Sequence, residues 1–516
     1  MNLFGSFSVV GLLILCSRIL GFFRDIMIAR LLGTGVEAEA FFTAFRLPNL
    51  FRRLFAEGAF NAAFVPLFSK KYQSESLDEA LNFAEEIYSW LLVLLIVFFV
   101  ISQLLMPFLV MGLAYGFHDD PERMSLTVLY SRITFAYLIF MSLLALMSGI
   151  LNTLNYFIIT SAVSLCLNIV LVAGIYTAYI KGWSVGLTMA WGVFFSGILQ
   201  YFMVWYSLKA ENIRLKLRRP RLTQNVKDIL KIGFPGFITG SVMQLNLLVS
   251  TQIASGFKGS IAWIHFADRL YQLPLGIIGA AVAIVLLPKL SGFVKSDDMD
   301  NLCLYMKKSS IFCIFFALPL SVAMCVIPYP IVSLLFEGNS FTKADVRNTA
   351  DILQIFSIGV VPYIFVKLLN TVYFAYENTK KPMYYGIGTV IINVVLSYML
   401  MDTLGFLAVP MGSVVAVWCN LIMLWVGLLR YEMKIASSIF HIYFVYFTIA
   451  STVMAIIMVW MCNNYYDAFA VGAEKYLIPI CIMGVGAFLY FVINILCAGL
   501  WRREARVNLV SFLRSM

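Results

Sequence analysis

The sequence predicts an all-α polytopic membrane protein of about 14 transmembrane helices, built as two pseudo-symmetric six-helix lobes followed by two extra C-terminal helices. Three observations predict it. The 516 residues are 61% hydrophobic and only 12% charged, with a mean hydropathy of +0.89, too apolar for a set of water-soluble domains. Uninterrupted apolar runs of spanning length recur from one end to the other, which excludes the alternating strands of a membrane barrel. Short identities also return at a common offset of 226 residues: Leu47-Pro48 falls on Leu273-Pro274, Tyr137 on Tyr363, and Asn152-Thr153 on Asn378-Thr379. Such an offset is the mark of a duplication, and an even number of helices per repeat makes the halves parallel repeats.

Taken in order, the first apolar run begins near Phe4 and ends near Leu32 with Arg18 at its centre. It lacks a cleavage site and is read as the first helix rather than a signal peptide. Further spans begin near residues 40, 87, 126, 156 and 184, with the polar stretch Ser69 to Glu86 as a connector after the second. The segment HDDPER, His118 to Arg123, forms an acidic outer loop. Residues 1–208 make the N-terminal lobe. The basic run 209–231, which contains RRPR from Arg218 to Arg221, links the halves and is read as a topological anchor. The C-terminal lobe occupies 232–434, with spans beginning near 228, 261, 309, 348, 382 and 404. Two unpaired helices fill 435–500, and a basic tail ends the chain at 501–516. Nine cysteines at no metal-ligand spacing are read as small core residues.

Basic residues set the orientation. With the N-terminus in the cytoplasm, inside loops and the tail collect 22 of the 37 Lys and Arg and the outside loops six. That asymmetry follows the positive-inside rule only if both termini are cytoplasmic. The net charge of +10 therefore reports topology and contact with anionic lipid headgroups, not nucleic acid.

Nine basic residues remain within or at the edges of spans: Arg18, Arg24, Arg30, Arg46, Arg52, Arg53, Arg132, Arg269 and Lys367. At helical rise Arg18 lies roughly 20 Å from either end of its run, too deep to reach the interface. An intramembrane charge is retained where it faces a wet cavity or a partner. Asp25 and Glu57 are too few to neutralise Arg18, Arg24, Arg52 and Arg53, so the surplus is positive. For any single arginine the competing reading is structural pairing, as of Arg53 with Glu57. The second half contributes FADRLYQLPLGIIGA, with Arg269 beside Asp268. Guanidinium stays charged and forks onto phosphate or carboxylate through two parallel hydrogen bonds, so this pattern asks for a large anion, most naturally a lipid diphosphate. A ligand held by Arg18, Arg24, Arg52 and Arg269 would draw on both halves. Lys367 is a candidate conformational lock. Asn246, Asn370 and Asn393 are candidates for a cation site, against the plainer role of bonding neighbouring helices.

The motifs SRILGFFRD (from Ser17), FRLPNLFRRLFAEGAFNAAFVPLFS (from Phe45) and ADRLYQLPLG (from Ala267) closely resemble the MurJ (MviN) family. These are the lipid II flippases of peptidoglycan synthesis, within the multidrug/oligosaccharidyl-lipid/polysaccharide exporter superfamily. The resemblance runs along the whole chain. It implies fourteen helices, a central cationic cavity, and a groove formed with the last two helices for the polyprenyl tail. The family's essential cavity arginines match Arg18, Arg24, Arg52 and Arg269. Around them, the residues themselves make Ser17, Asp25, Glu39, Arg53, Glu57, Asp268 and Lys367 the supporting or gating candidates. Where relatives can carry aspartate at the outer end of helix two, this chain has Glu39. Lipid II in the inner membrane is the implied substrate, membrane lipids and cell-wall synthesis proteins the implied partners. No cofactor or metal is implied; relatives in the superfamily couple to ion gradients, which leaves an ion gradient or the membrane potential as the drive.

Two other transporters share this fold: a flippase for another polyprenyl-linked oligosaccharide and a multidrug exporter. The arginine surplus argues against both. A membrane-embedded enzyme on polyprenyl phosphates would need a metal-binding carboxylate cluster or a catalytic histidine at a membrane edge. Only His118, His265 and His441 exist, and Asp119-Asp120 and Asp297-Asp298 lie in polar loops, so the reading is a transporter and not an enzyme.

Overall fold

The computed structural model describes residues 3–53, 59–431, 443–466 and 474–504, and among them every regular element is helical. The helices are α1 (Leu3–Leu32), α2 (Val36–Arg52), α3 (Ala59–Ser74), α4 (Leu77–Leu104), α5 (Met106–Leu113), α6 (Pro121–Phe135), α7 (Tyr137–Thr153), α8 (Phe157–Lys181) and α9 (Val185–Ala210). There follow α10 (Gln224–Ser255), α11 (Ser260–Lys295), α12 (Met299–Val326), α13 (Pro328–Phe336), α14 (Lys343–Ala375), α15 (Lys380–Leu404), α16 (Ala408–Tyr431), α17 (Tyr443–Met461) and α18 (Glu474–Glu504).

Local chemistry fixes the ends of several helices. Ser76 caps α4 by accepting from the Glu79 N–H at 3.2 Å, Asp120 caps α6 ahead of Pro121, and Asp298 caps α12 through the Asn301 N–H at 3.1 Å. Gly182 closes α8 in the left-handed region at φ 68°. The stretch read as a polar connector, Ser69 to Glu86, is itself helical apart from the turn between α3 and α4.

The internal repeat is visible in element order. Adding 226 residues carries α1 onto α10, α2 onto the start of α11, α4 onto α12, α6 and α7 onto α14, α8 onto α15, and α9 onto α16. The helices α17 and α18 have no counterpart, in keeping with two six-helix lobes and an appendage. Among the described residues nine helical segments are long and apolar enough to cross a membrane. Of the charges singled out above, α1 carries Arg18, Arg24, Asp25 and Arg30, α2 carries Glu39, Arg46 and Arg52, α11 carries Asp268 and Arg269, and α14, within one of those nine segments, carries Lys367.

The chain packs as two compact units. One comprises residues 1–262 with 338–342, the other 263–337 with 343–516. This packing boundary differs from the repeat boundary in the linker, because α10, the first helix of the second repeat, packs in the first unit along α3. The first unit is cored by Phe64, Phe68, Phe83, Tyr130 and Phe135, with Phe64 stacked on Phe68 and on Phe83 at 5.7 Å. Residues 338–342 lie against the end of α1: Gly33, at φ 70°, packs where any Cβ would collide with the Ser340 carbonyl, and the Ser340 hydroxyl donates to the Leu31 carbonyl at 3.0 Å.

In the second unit Phe315 of α12 is surrounded by Phe447 of α17 and by Tyr490 and Phe491 of α18, and the buried Tyr490 hydroxyl donates to the Phe315 carbonyl at 2.8 Å. Those contacts seat the two appended helices on the lobe.

Candidate functional site

A buried charge of the first unit is Arg24 on α1. Its side chain is buried, and its Nε and Nη2 both donate to Asp25 Oδ1, at 3.1 and 2.7 Å. Nη1 donates to Asn168 Oδ1 of α8 at 2.9 Å. Asn168 is fixed in turn, since its Nδ2 donates to the backbone carbonyl and hydroxyl of Ser17 at 3.1 and 3.3 Å. Ser17, Arg24 and Asp25, all singled out in the sequence, are thus gathered by an asparagine that the sequence reading missed. Its only signal was its type: a lone amide inside the apolar run of α8. Guanidinium has five N–H donors. Three are used here and two are left over, while Asp25 balances the charge and makes burial tolerable.

The other arginines are less enclosed. Arg18 is exposed on α1, Arg52 is half-buried in the last turn of α2, and Arg53 just beyond it is exposed. Glu57 lies outside the described residues.

A second polar cluster, still within the first unit, sits where α2, α6, α10 and the start of α11 meet. Glu39 of α2 and Arg123 of α6 form an ion pair at 2.8 Å with both side chains almost fully buried. Glu39 also accepts from the Ile261 N–H at 3.3 Å, and Arg123 donates to the Ser255 carbonyl at 3.4 Å while its guanidinium lies 4.1 Å over the Phe117 ring. The Ser255 hydroxyl accepts from the Gly116 N–H at 2.9 Å. Nearer solvent, Lys258 pairs with Asp120 at 3.0 Å and holds that carboxyl below the usual carboxylate range. Deeper, Arg46 Nη1 donates to the Thr251 hydroxyl at 2.7 Å, joining α2 to α10. Arg123 was read from sequence as a loop residue; it is instead the buried partner of Glu39.

In the second unit Asp268 and Arg269 are half-buried on α11, and Gln272 donates to Asp268 one turn on. Tyr271 packs against Tyr363 of α14 at 5.5 Å. Lys367 of α14 reaches the Leu275 carbonyl of α11 at 3.4 Å, its stem passing Gly279 where a Cβ would meet the lysine side chain at 2.7 Å. Of the asparagines, Asn393 is buried on α15 and its Oδ1 accepts from Ser397 at 3.2 Å and from Ser413 of α16 at 3.4 Å. Asn370 is half-buried on α14 in the same unit, whereas Asn246 is on α10 and packs in the first. The bonds of Asn393 are those of a helix-to-helix tie.

Buried arginines and carboxylates in a duplicated all-helical chain with a two-helix appendage go with the fold of a membrane transporter, one found in the multidrug and polysaccharide exporter superfamily. Its fold is shared with a multidrug resistance transporter of that superfamily in an inward-facing conformation, with a TM-score of 0.67 at 16% identity over 82% of this chain and 95% of the other. The family can be stated more closely. The family model described as "Lipid II flippase MurJ" matches residues 28–479, and the chain belongs to that family. It is 40% identical over 432 residues to a probable lipid II flippase MurJ of Rhizobium meliloti (strain 1021), covering 83% of this chain and 81% of the relative. It is 31% identical over 498 residues to a probable lipid II flippase MurJ of Rickettsia prowazekii (strain Madrid E), covering 95% and 97%. Among solved structures, a lipid II flippase MurJ in an inward closed conformation matches with a TM-score of 0.79 at 25% identity, over 95% of this chain and 99% of that one.

Proposed function

We infer that this chain is a lipid II flippase, a transporter and not an enzyme, which carries the lipid-linked peptidoglycan precursor across the membrane by alternating access. Membership of the family over residues 28–479 carries the substrate class. Arg24 carries the site: a guanidinium buried in a membrane helix, charge-balanced by Asp25, oriented by Asn168, and left with two donors for a ligand. In this reading Arg18, Arg24, Arg52 and Arg269 hold the pyrophosphate and nearby carboxylates, because forked, charge-assisted bonds favour that group over a neutral or cationic cargo. The Glu39–Arg123 pair, braced by Ile261 and Ser255, is the outer seal that must part for release. Lys367, anchored on α11 by the Leu275 carbonyl, is the lock of the second lobe, and Asp268 supports Arg269. The last two helices take the polyprenyl tail.

The protein works in the cytoplasmic membrane with both termini inside, driven by an ion gradient or the membrane potential and accompanied by cell-wall synthesis proteins. Asn246, Asn370 and Asn393 remain the candidates for a coupling cation, with Asn393 the weakest of them because hydroxyls already occupy its carbonyl.

One assay tests the core of this. In cells depleted of their own flippase and supplied with this gene, lipid II becomes accessible to an externally added enzyme that cleaves its headgroup. Arg24→Ala and Arg269→Ala abolish that cleavage while the protein still reaches the membrane, and an ionophore that collapses the gradient suppresses it. Undiminished cleavage in either variant removes the arginine assignment; absence of cleavage with well-expressed wild type removes the substrate.

A further inference from the structure

The basic linker does more than anchor topology. Residues 213–223 have no regular secondary structure, yet they are laid along the start of α4 and pinned there. Glu85 accepts from the Lys216 N–H at 3.0 Å and from Arg218 Nε at 2.7 Å. The Arg218 N–H donates to the Ser89 hydroxyl at 2.9 Å, and the Trp90 indole N–H donates to the Arg221 carbonyl at 2.7 Å. Glu86 accepts from the Thr223 hydroxyl and, at 3.0 Å, from the Asn225 amide. Held this way, the linker and α4 form a half-open cleft of about 390 Å³ lined by Glu86, Arg218, Arg219, Arg221 and Thr223, a volume within the range of small-molecule sites.

Charge and surroundings select the ligand. Glu85 is spent on Arg218, and Glu86 on two neutral donors. Among the described residues no acidic side chain pairs with Arg219 or Arg221. Three guanidiniums face two carboxylates, a surplus of one positive charge. Leu217 and Leu222, which bracket the arginines, are 67% and 61% exposed, and Trp90 beside them is of the type that sits at the membrane interface.

We propose that this pocket binds the singly charged phosphodiester of an anionic membrane phospholipid, gripped by Arg219 and Arg221, with Leu217 and Leu222 against its acyl chains. Guanidinium forks onto phosphate oxygens, and basic pockets at the headgroup level recruit acidic lipids. Free inorganic phosphate shares the first interaction and lacks the second.

The test uses the full-length chain in phosphatidylcholine vesicles doped with phosphatidylglycerol bearing a photoactivatable acyl chain. After irradiation, mass spectrometry locates the adducts. Labelling of peptides covering 211–223 is expected. Unlabelled phosphatidylglycerol displaces it, whereas added phosphatidylcholine and millimolar inorganic phosphate do not. Arg219→Gln with Arg221→Gln weakens labelling by roughly fivefold per guanidinium removed, and Lys380→Gln with Lys381→Gln, a basic pair elsewhere, leaves it unchanged. Equal displacement by inorganic phosphate overturns the lipid as ligand. Displacement by phosphatidylcholine, or wild-type labelling in the folded Arg219/Arg221 variant, overturns the site.

Discussion

Asn168 does for Arg24 what Asp25 alone does not. The ion pair between sequence neighbours neutralises the guanidinium, but its orientation is set by a bond to a residue 144 positions away, which is itself bonded to Ser17 on the helix that carries Arg24. Hydrogen bonds to charged groups contribute more than neutral ones. Replacing Asn168 by leucine keeps the branching at Cγ and removes the acceptor, and headgroup accessibility in the complementation assay is expected to fall by about tenfold or more, with normal protein abundance. Asn168→Asp, which retains an acceptor, should keep more activity than the leucine variant. Equal transport by Asn168→Leu and wild type would remove Asn168 from the site. At this scale the sequence was partly legible. The arginines announce themselves by their cost in a membrane, whereas Asn168, Arg123 and Thr251 acquire their roles from partners distant in sequence, and no local pattern encodes such pairings.

Among elements, the buried Glu39–Arg123 ion pair joins α2 to α6, and hydrogen bonds from it hold the end of α10 and the start of α11. Breaking such a pair from one side leaves an uncompensated charge at a cost of about 3–5 kcal/mol. Glu39→Ala and Arg123→Ala are each expected to lower thermal stability strongly in purified protein, and the double variant to lose less than the two losses added together. Strict additivity would mean that the two side chains do not act as a pair. The same region offers a matched glycine test. A Cβ at Gly116 would meet Ser255 and Gly256 backbone atoms at 2.5 Å, whereas a Cβ at Gly112, one turn away, meets nothing within 4 Å. Gly116→Ala should cost about 1–3 kcal/mol through overpacking, while Gly112→Ala leaves the melting temperature unchanged. Similar melting curves for the two would show that the close approach is relieved at no cost.

For the whole molecule, apolar runs and the 226-residue offset made the architecture readable, since spanning length and duplication are one-dimensional signals. What they did not reveal is how the repeats pack. The helix α10 opens the second repeat by sequence but packs in the first unit, because bonds such as Arg46 to Thr251 and Asn225 to Glu86 tie it there. The distribution of Lys and Arg gives the topology its own test. Alkaline phosphatase, active only outside the cytoplasm, should be inactive when fused after Ala210 or at the C-terminus and active when fused after Lys181. Activity at the C-terminal fusion would overturn the orientation.

Those same ties make α10 a beam fixed at both ends. At its first turn Thr223 and Asn225 are pinned to Glu86; at its last, Ser255 is held by Arg123 and Gly116. Its 32 residues span about 48 Å. If only the pins at Ser255 let go, the beam becomes a lever with its fulcrum at the linker, and a small rotation there sweeps the far end through several ångströms. The pocket formed by the linker then lies at the fulcrum, where a bound lipid would stiffen the pivot itself.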